Sequence, residues 1–143
     1  MEYKIEISAE IKEDIVVFAK EKTALLTKIE ELLRDSDDGI YGYSGNDIVK
    51  LDKNTICAFF VEAGKVYAET EAEKLLVKDR LYVYEEKYPK DFVKINQSCL
   101  INIAMIERFR TTLGGALEVR LKNGYRDYVS RRQLKEVKER LGI

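Results

Sequence analysis

The chain has 143 residues, 45% of them apolar and 36% charged, enough for one substantial core and a small appendage. The sequence contains no histidine, which excludes Ser-His-Asp and Cys-His catalysis and any imidazole metal site. Cys57 and Cys99 are far apart and form no CxxC spacing, so they read as reduced core thiols rather than a disulfide or zinc ligands. The carboxylates mostly alternate with apolar residues, as solvated strand faces do, so no enzyme, cofactor or small-molecule substrate is expected. No apolar run approaches the roughly 20 residues of a membrane span. The start Met1-Glu2-Tyr3-Lys4-Ile5-Glu6 lacks a signal-peptide core, and the expected location is the cytoplasm.

The net charge of -1 hides an asymmetry. Residues 90–143 hold 12 Lys+Arg against 6 Asp+Glu, whereas residues 1–89 hold 13 against 20. A basic half and an acidic half point to different partners for different surfaces; the basic half suits an anion.

In chain order, Tyr3–Ile7 alternates at period two and Ile15–Phe18 is a short apolar run, so both predict strands. Between Glu21 and Arg34 the spacing of Leu25, Ile29, Leu32 and Leu33 predicts an amphipathic helix. Ser36-Asp37-Asp38-Gly39 supplies turn chemistry. Residues 1–40 thus read as a β-β-α extension, too short for a phosphoacceptor receiver domain and suited to dimerisation or regulation. Residues 41–143 read as a second domain of short strands. Ile48–Leu51, Ile56–Val61 and Val66–Glu69 are bounded by Asp52-Lys53-Asn54 and by the compact hairpin turn Glu62-Ala63-Gly64-Lys65. Leu81–Tyr88 fits a strand or a helix and ends before Pro89.

Phe92–Ile95, Leu100–Ile103, Ile106–Arg110 and Leu117–Leu121 continue the strand pattern. Lys122-Asn123-Gly124-Tyr125 predicts a hairpin whose Asn-Gly pair takes positive φ, with Tyr125–Val129 as its second strand. Ser130 is placed to cap a final helix, Gln133 to complete a capping box, and Gly142 to end it. Leu134, Val137 and Leu141 share one face of that helix. The fold class is mainly β (α+β overall): several short antiparallel sheets with a C-terminal helix.

Two clusters carry recognition chemistry. Acidic residues are normally favoured in a first helical turn, yet Arg131 and Arg132 occupy it, which suggests either an external anion or two solvated side chains. Arginine also pairs with guanine O6/N7 in the major groove, and Lys135 lies one turn on. The second cluster, Lys94-Ile95-Asn96-Gln97-Ser98-Cys99-Leu100-Ile101-Asn102, places a polar triplet between apolar runs, either a plain turn or a binding loop. Asn96 and Gln97 have the donor and acceptor set for adenine N6/N7, while Ser98 and Lys94 suit phosphate.

Phe92–Asn102 with Ile106 following, then Leu117–Gly124, then Val129-Ser130-Arg131-Arg132-Gln133-Leu134-Lys135, in this order and spacing, resembles the LytTR family of DNA-binding domains over roughly residues 41–143. The resemblance implies a mostly antiparallel β fold that reads double-stranded DNA with loops entering successive major grooves over direct repeats. It places Gln97 at a base-contacting position with Asn96 beside it, and Arg132 at the base-contacting arginine near the last helix. Ser130 and Arg131 adjoin that arginine, and Lys65 falls near a third contact loop. Asn102 matches a structural asparagine that ties a loop to a strand.

Many members carry His-Arg where this chain has Asn96-Gln97. The substitution should lower non-specific affinity and move base preference toward adenine. The short N-terminal extension resembles that of stand-alone, response regulator-like members without a receiver domain, and a homodimer is expected on direct repeats. An alternative reading is a protein-interaction module that signals through a membrane protein.

Overall fold

The computed structural model describes residues 2–13, 15–36 and 39–143. The chain divides into two units, Met1–Asp37 and Asp38–Ile143.

In the first unit, α1 runs Ala24–Ser36. Its start is set by Thr23, whose Oγ1 accepts the Leu26 N–H at 3.2 Å while its carbonyl accepts the Thr27 N–H at 3.1 Å. The helix therefore begins three residues later than Glu21. The two expected strands are absent: the described residues between 2 and 23 form neither helix nor strand. Ile7 is 94% exposed and Phe18 93%. A period-two pattern records β propensity, but a strand needs an edge to pair with, and a lone hairpin is marginal in water. Asp37 and Asp38 of the expected Ser36–Gly39 turn lie outside the described residues.

The second unit contains β1 (Ile40–Ser44), β2 (Asp47–Leu51), β3 (Ile56–Glu62), β4 (Lys65–Thr70), β5 (Lys74–Val77), α2 (Leu81–Lys87), β6 (Phe92–Asn96), β7 (Cys99–Asn102), β8 (Ile106–Thr111), β9 (Leu117–Leu121), β10 (Arg126–Val129) and α3 (Arg131–Leu141). Seven strands form one antiparallel sheet in the order β2-β1-β5-β4-β3-β7-β6, and the other three form a second, β10-β9-β8.

The near-continuous apolar runs of β3, β6 and β7 are explained by burial on both faces. Ile56, Phe59, Phe92 and Leu100 pack with Leu81, Tyr84 and Tyr88 of the α2 segment. There, Phe59 and Tyr84 stack with centroids 4.2 Å apart, and burial pushes the Tyr84 phenol up to about 12. Cys57, Ala58, Val93, Ile95, Cys99 and Ile101 pack instead with Val119, Leu121, Val129 and Val137 of the second sheet and α3. Both cysteines are free and buried.

Several local expectations are corrected. β1 and β5 are strands that the sequence pattern does not mark, because each is short and β1 is interrupted by Gly42. That glycine is required by packing, since a Cβ there would lie 2.6 Å from Leu75 Cβ. Leu81–Lys87 resolves as helix. In the Asn123-Gly124 turn only Gly124 takes positive φ, at 91°, while Asn123 Oδ1 accepts the Tyr125 N–H at 3.1 Å. The expected pair of positive φ angles occurs instead in the β3–β4 turn, at Ala63 (52°) and Gly64 (75°).

Asn102 is buried, 5% exposed. Its Nδ2 donates to the Ile56 carbonyl at 2.9 Å and its Oδ1 accepts the Ala104 N–H at 3.0 Å. This is the loop-to-strand tie expected of it. Asn102→Ala strands both groups and is expected to lower unfolding stability by about 2–3 kcal/mol in denaturant titration.

Candidate nucleic-acid interface

Three turns meet at one end of the second unit because hydrogen bonds fasten each to the next. The β3–β4 hairpin carries Lys65 at its exit. Next to it lies the β6–β7 turn, whose Ser98 carbonyl accepts the Val61 N–H at 2.8 Å, extending the β3–β7 pairing. The entry to α3 adjoins the same turn, since the Ser130 N–H donates to the Ile95 carbonyl at 2.8 Å.

Asn96 is the joint between the second and third of these. Its Nδ2 donates to the Tyr128 carbonyl at 2.9 Å and to Asp127 Oδ1 at 3.2 Å, and its Oδ1 accepts the Ser98 N–H at 2.8 Å. Asp127 in turn accepts the Tyr128 N–H at 2.7 Å and the Tyr125 hydroxyl at 3.2 Å. With both amide hydrogens used inside the protein, Asn96 cannot offer the bidentate pairing to adenine that its residue type suggested. It positions the turn instead. The neighbouring Cys99 thiol and Tyr125 phenol are both pushed up by burial, so neither supplies a nucleophile near neutral pH.

Gln97 and Ser98 are exposed at the turn's tip, Lys65 is exposed beside them, and Lys94 is half-buried. An open groove of about 630 Å³ is lined by Lys65, Lys94 and Gln97 together with Lys78 and Arg80. Sequence reasoning missed Lys78 and Arg80. They stand in the β5–α2 connection within no motif, and only the folded chain brings them to the same groove as Lys94.

At α3, Ser130 is the N-cap residue but its hydroxyl makes no cap bond. The expected capping box is therefore absent, and the Gln133 N–H reaches the Ser130 carbonyl at 3.0 Å instead. The helix is held by its apolar face, with Val137 buried and Leu134 and Leu141 half-buried. Its end is fixed by Gly142 at φ 69° and by Arg140, which donates to the Pro89 carbonyl. Arg131, Arg132 and Lys135 are thereby turned outward and exposed. Among the described residues, Lys65, Lys94, Arg131, Arg132 and Lys135 make no ion pair. The end of the unit presents these cations around a polar tip, with Asp79 and Glu85 on the same groove, and the excess of positive side chains suits a polyanion. The described residues contain no cluster able to hold a metal ion.

The joint can be separated from the tip by mutation. Asn96→Ala removes three hydrogen bonds and is expected to cost about 1–3 kcal/mol of unfolding stability. Gln97→Ala should stay within about 0.5 kcal/mol of wild type by the same titration.

Comparison with known proteins agrees with this architecture. Residues 46–142 match the family model of the LytTr DNA-binding domain. Over 109 residues the chain is 33% identical to uncharacterized HTH-type transcriptional regulators of Staphylococcus aureus strains NCTC 8325 / PS 47 and MRSA252, spanning 76% of this chain and 74% of each relative. Its fold is similar to that of the LytTr DNA-binding domain of a Bacillus cereus protein described as a methyl-accepting/DNA response regulator. The TM-score is 0.69 at 18% identity, covering 74% of this chain and 99% of that one. The chain belongs to the LytTR family of DNA-binding domains.

Proposed function

We propose that this LytTR protein, a DNA-binding transcription regulator, recognises specific sequence by inserting its turns into successive major grooves of direct-repeat sites. The observation that carries the reading is the fastening of three turns at one end, with Lys65, Gln97, Arg131 and Arg132 exposed there and the cations unpaired. A turn-based mode also agrees with the helices. Among the described residues α2 and α3 are separated by five strands, so no helix-turn-helix is formed.

Arg132 is the guanine reader, its planar fork matching O6 and N7, and Gln97 pairs with adenine N6/N7. Lys65 makes a third groove contact. Lys94, Ser98, Ser130, Arg131 and Lys135 hold phosphates, and Asn96 positions Gln97 without touching the bases. Gel-shift titration against the protein's own promoter region tests this assignment. Arg132→Ala is expected to weaken specific binding by about 1–3 kcal/mol and relax one base position; Lys94→Ala should weaken all sequences alike and lower the salt slope by about 1. A salt-insensitive shift, or none, contradicts the reading.

The working form under this proposal is a cytoplasmic homodimer, since two linked copies gain avidity on direct repeats. Support comes from the first unit, where Ile7, Phe18 and Leu32 are exposed and the described residues of that unit contain no strand. No helix of the described residues is long and apolar enough to cross a membrane. Light scattering should give twice the chain mass for wild type and a monomer for Phe18→Lys. A wild-type monomer both free and on DNA contradicts the dimer.

A further inference from the structure

The outer face of the three-stranded sheet carries arginines that the turn interface leaves unused. Arg108 on β8, Arg120 on β9 and Arg126 on β10 are direct register partners, forming a row across all three strands. Arg110, two residues along β8, shares that face, in register with Glu118 and Tyr128. The face is fixed by the core, because Val119 and Leu121, on either side of Arg120, are fully buried on the opposite side. A shallow depression is lined by the four arginines and Glu118.

Like charges directly opposite one another destabilise a sheet. Glu107 offsets part of the repulsion, lying 3.6 Å from Arg108 Nη2 and 3.5 Å from Arg120 Nε. Arg110 and Arg126 are exposed and make no ion pair among the described residues. A row that weakens the isolated sheet points to an external anion that stabilises it. Arginine at all four positions favours phosphate, which its planar fork binds bidentately. The row spans two strand spacings, about 10 Å, and duplex DNA carries a charge for about every 1.7 Å of its axis. The patch is also continuous with the proposed interface. β10 leads from Arg126 through Tyr128, whose carbonyl accepts the Asn96 amide, to Ser130 and Arg131.

We infer that the outer arginine face of the β8–β9–β10 sheet is a second phosphate-binding surface, which holds the backbone of duplex DNA flanking the segment read by the three turns. The inference rests on the DNA-reading proposal above. Its test is an affinity titration of wild type and the double variant Arg110→Gln/Arg126→Gln with two duplexes sharing one core site. One duplex is trimmed to the core and the other extended by roughly one helical turn on each side.

Wild type is expected to bind the extended duplex about tenfold more tightly than the trimmed one. The variant should lose that gain, with a salt slope on the extended duplex lower by about two, yet match wild type on the trimmed duplex. It should melt no lower than wild type, since the change relieves repulsion. A variant that keeps the full gain overturns the inference and leaves an acidic protein partner as the ligand to seek. A wild type that binds the trimmed duplex but gains nothing from flanks also overturns it, leaving the turn reading intact. A wild type that binds neither duplex overturns both.

Discussion

The side-chain amide of Asn96 fixes the relation on which the interface depends. One group ties the β6–β7 turn to itself through the Ser98 N–H and to β10 through the Tyr128 carbonyl and Asp127. The turn comes from the seven-stranded sheet and β10 from the three-stranded one, so the joint sets one sheet's tip against the start of α3. Without it, Gln97 and Arg132 would belong to elements joined by apolar packing, which resists separation but does not fix direction, and by the single backbone bond from the Ser130 N–H to the Ile95 carbonyl. A polar joint of this kind supplies direction, and near the end of the unit its hydrogen bonds are cheap to satisfy.

The apolar layers supply the rest. β3, β6 and β7 are buried on both faces, between α2 with its aromatic partners on one side and the second sheet with α3 on the other. α3 can therefore bury one stripe, anchored by Val137, and leave its first turn to carry two arginines. The electrostatic cost of cations at a helix N-terminus is borne by packing elsewhere, and Ser130 makes no side-chain cap to lessen it.

Much of this was legible in the sequence, for identifiable reasons. β3, β6 and β7 have largely apolar runs of strand length bounded by turn residues, β9 alternates at period two, and α3 has a clean apolar stripe ending in glycine. The order of Lys94–Asn102 and Ser130–Lys135 carried the family resemblance, and Asn102 does what its position implied. What stayed hidden depends on tertiary neighbours. Tyr3–Ile7 and Ile15–Phe18 have strand propensity but no edge to join. β1 and β5 are four or five residues long and defined mainly by close packing across Gly42. Asn96 has the residue type of a base reader, and only its partners 31 and 32 positions away reveal it as a support. Lys78 and Arg80 belong to no motif and meet the turns only in the folded groove, and the arginine row is assembled by strand register alone.

The tip itself carries the neutral Gln97, and under the proposed reading recognition leans on geometry and on the arginines of α3 and the second sheet. Guanine-N7 methylation interference on a bound site reports major-groove reading by the turns without intermediate steps. Two clusters of interfering guanines roughly one helical turn apart are expected, with interference at one guanine in each repeat abolished in Arg132→Ala. Interference at no guanine, or a pattern unchanged by Arg132→Ala, would contradict it.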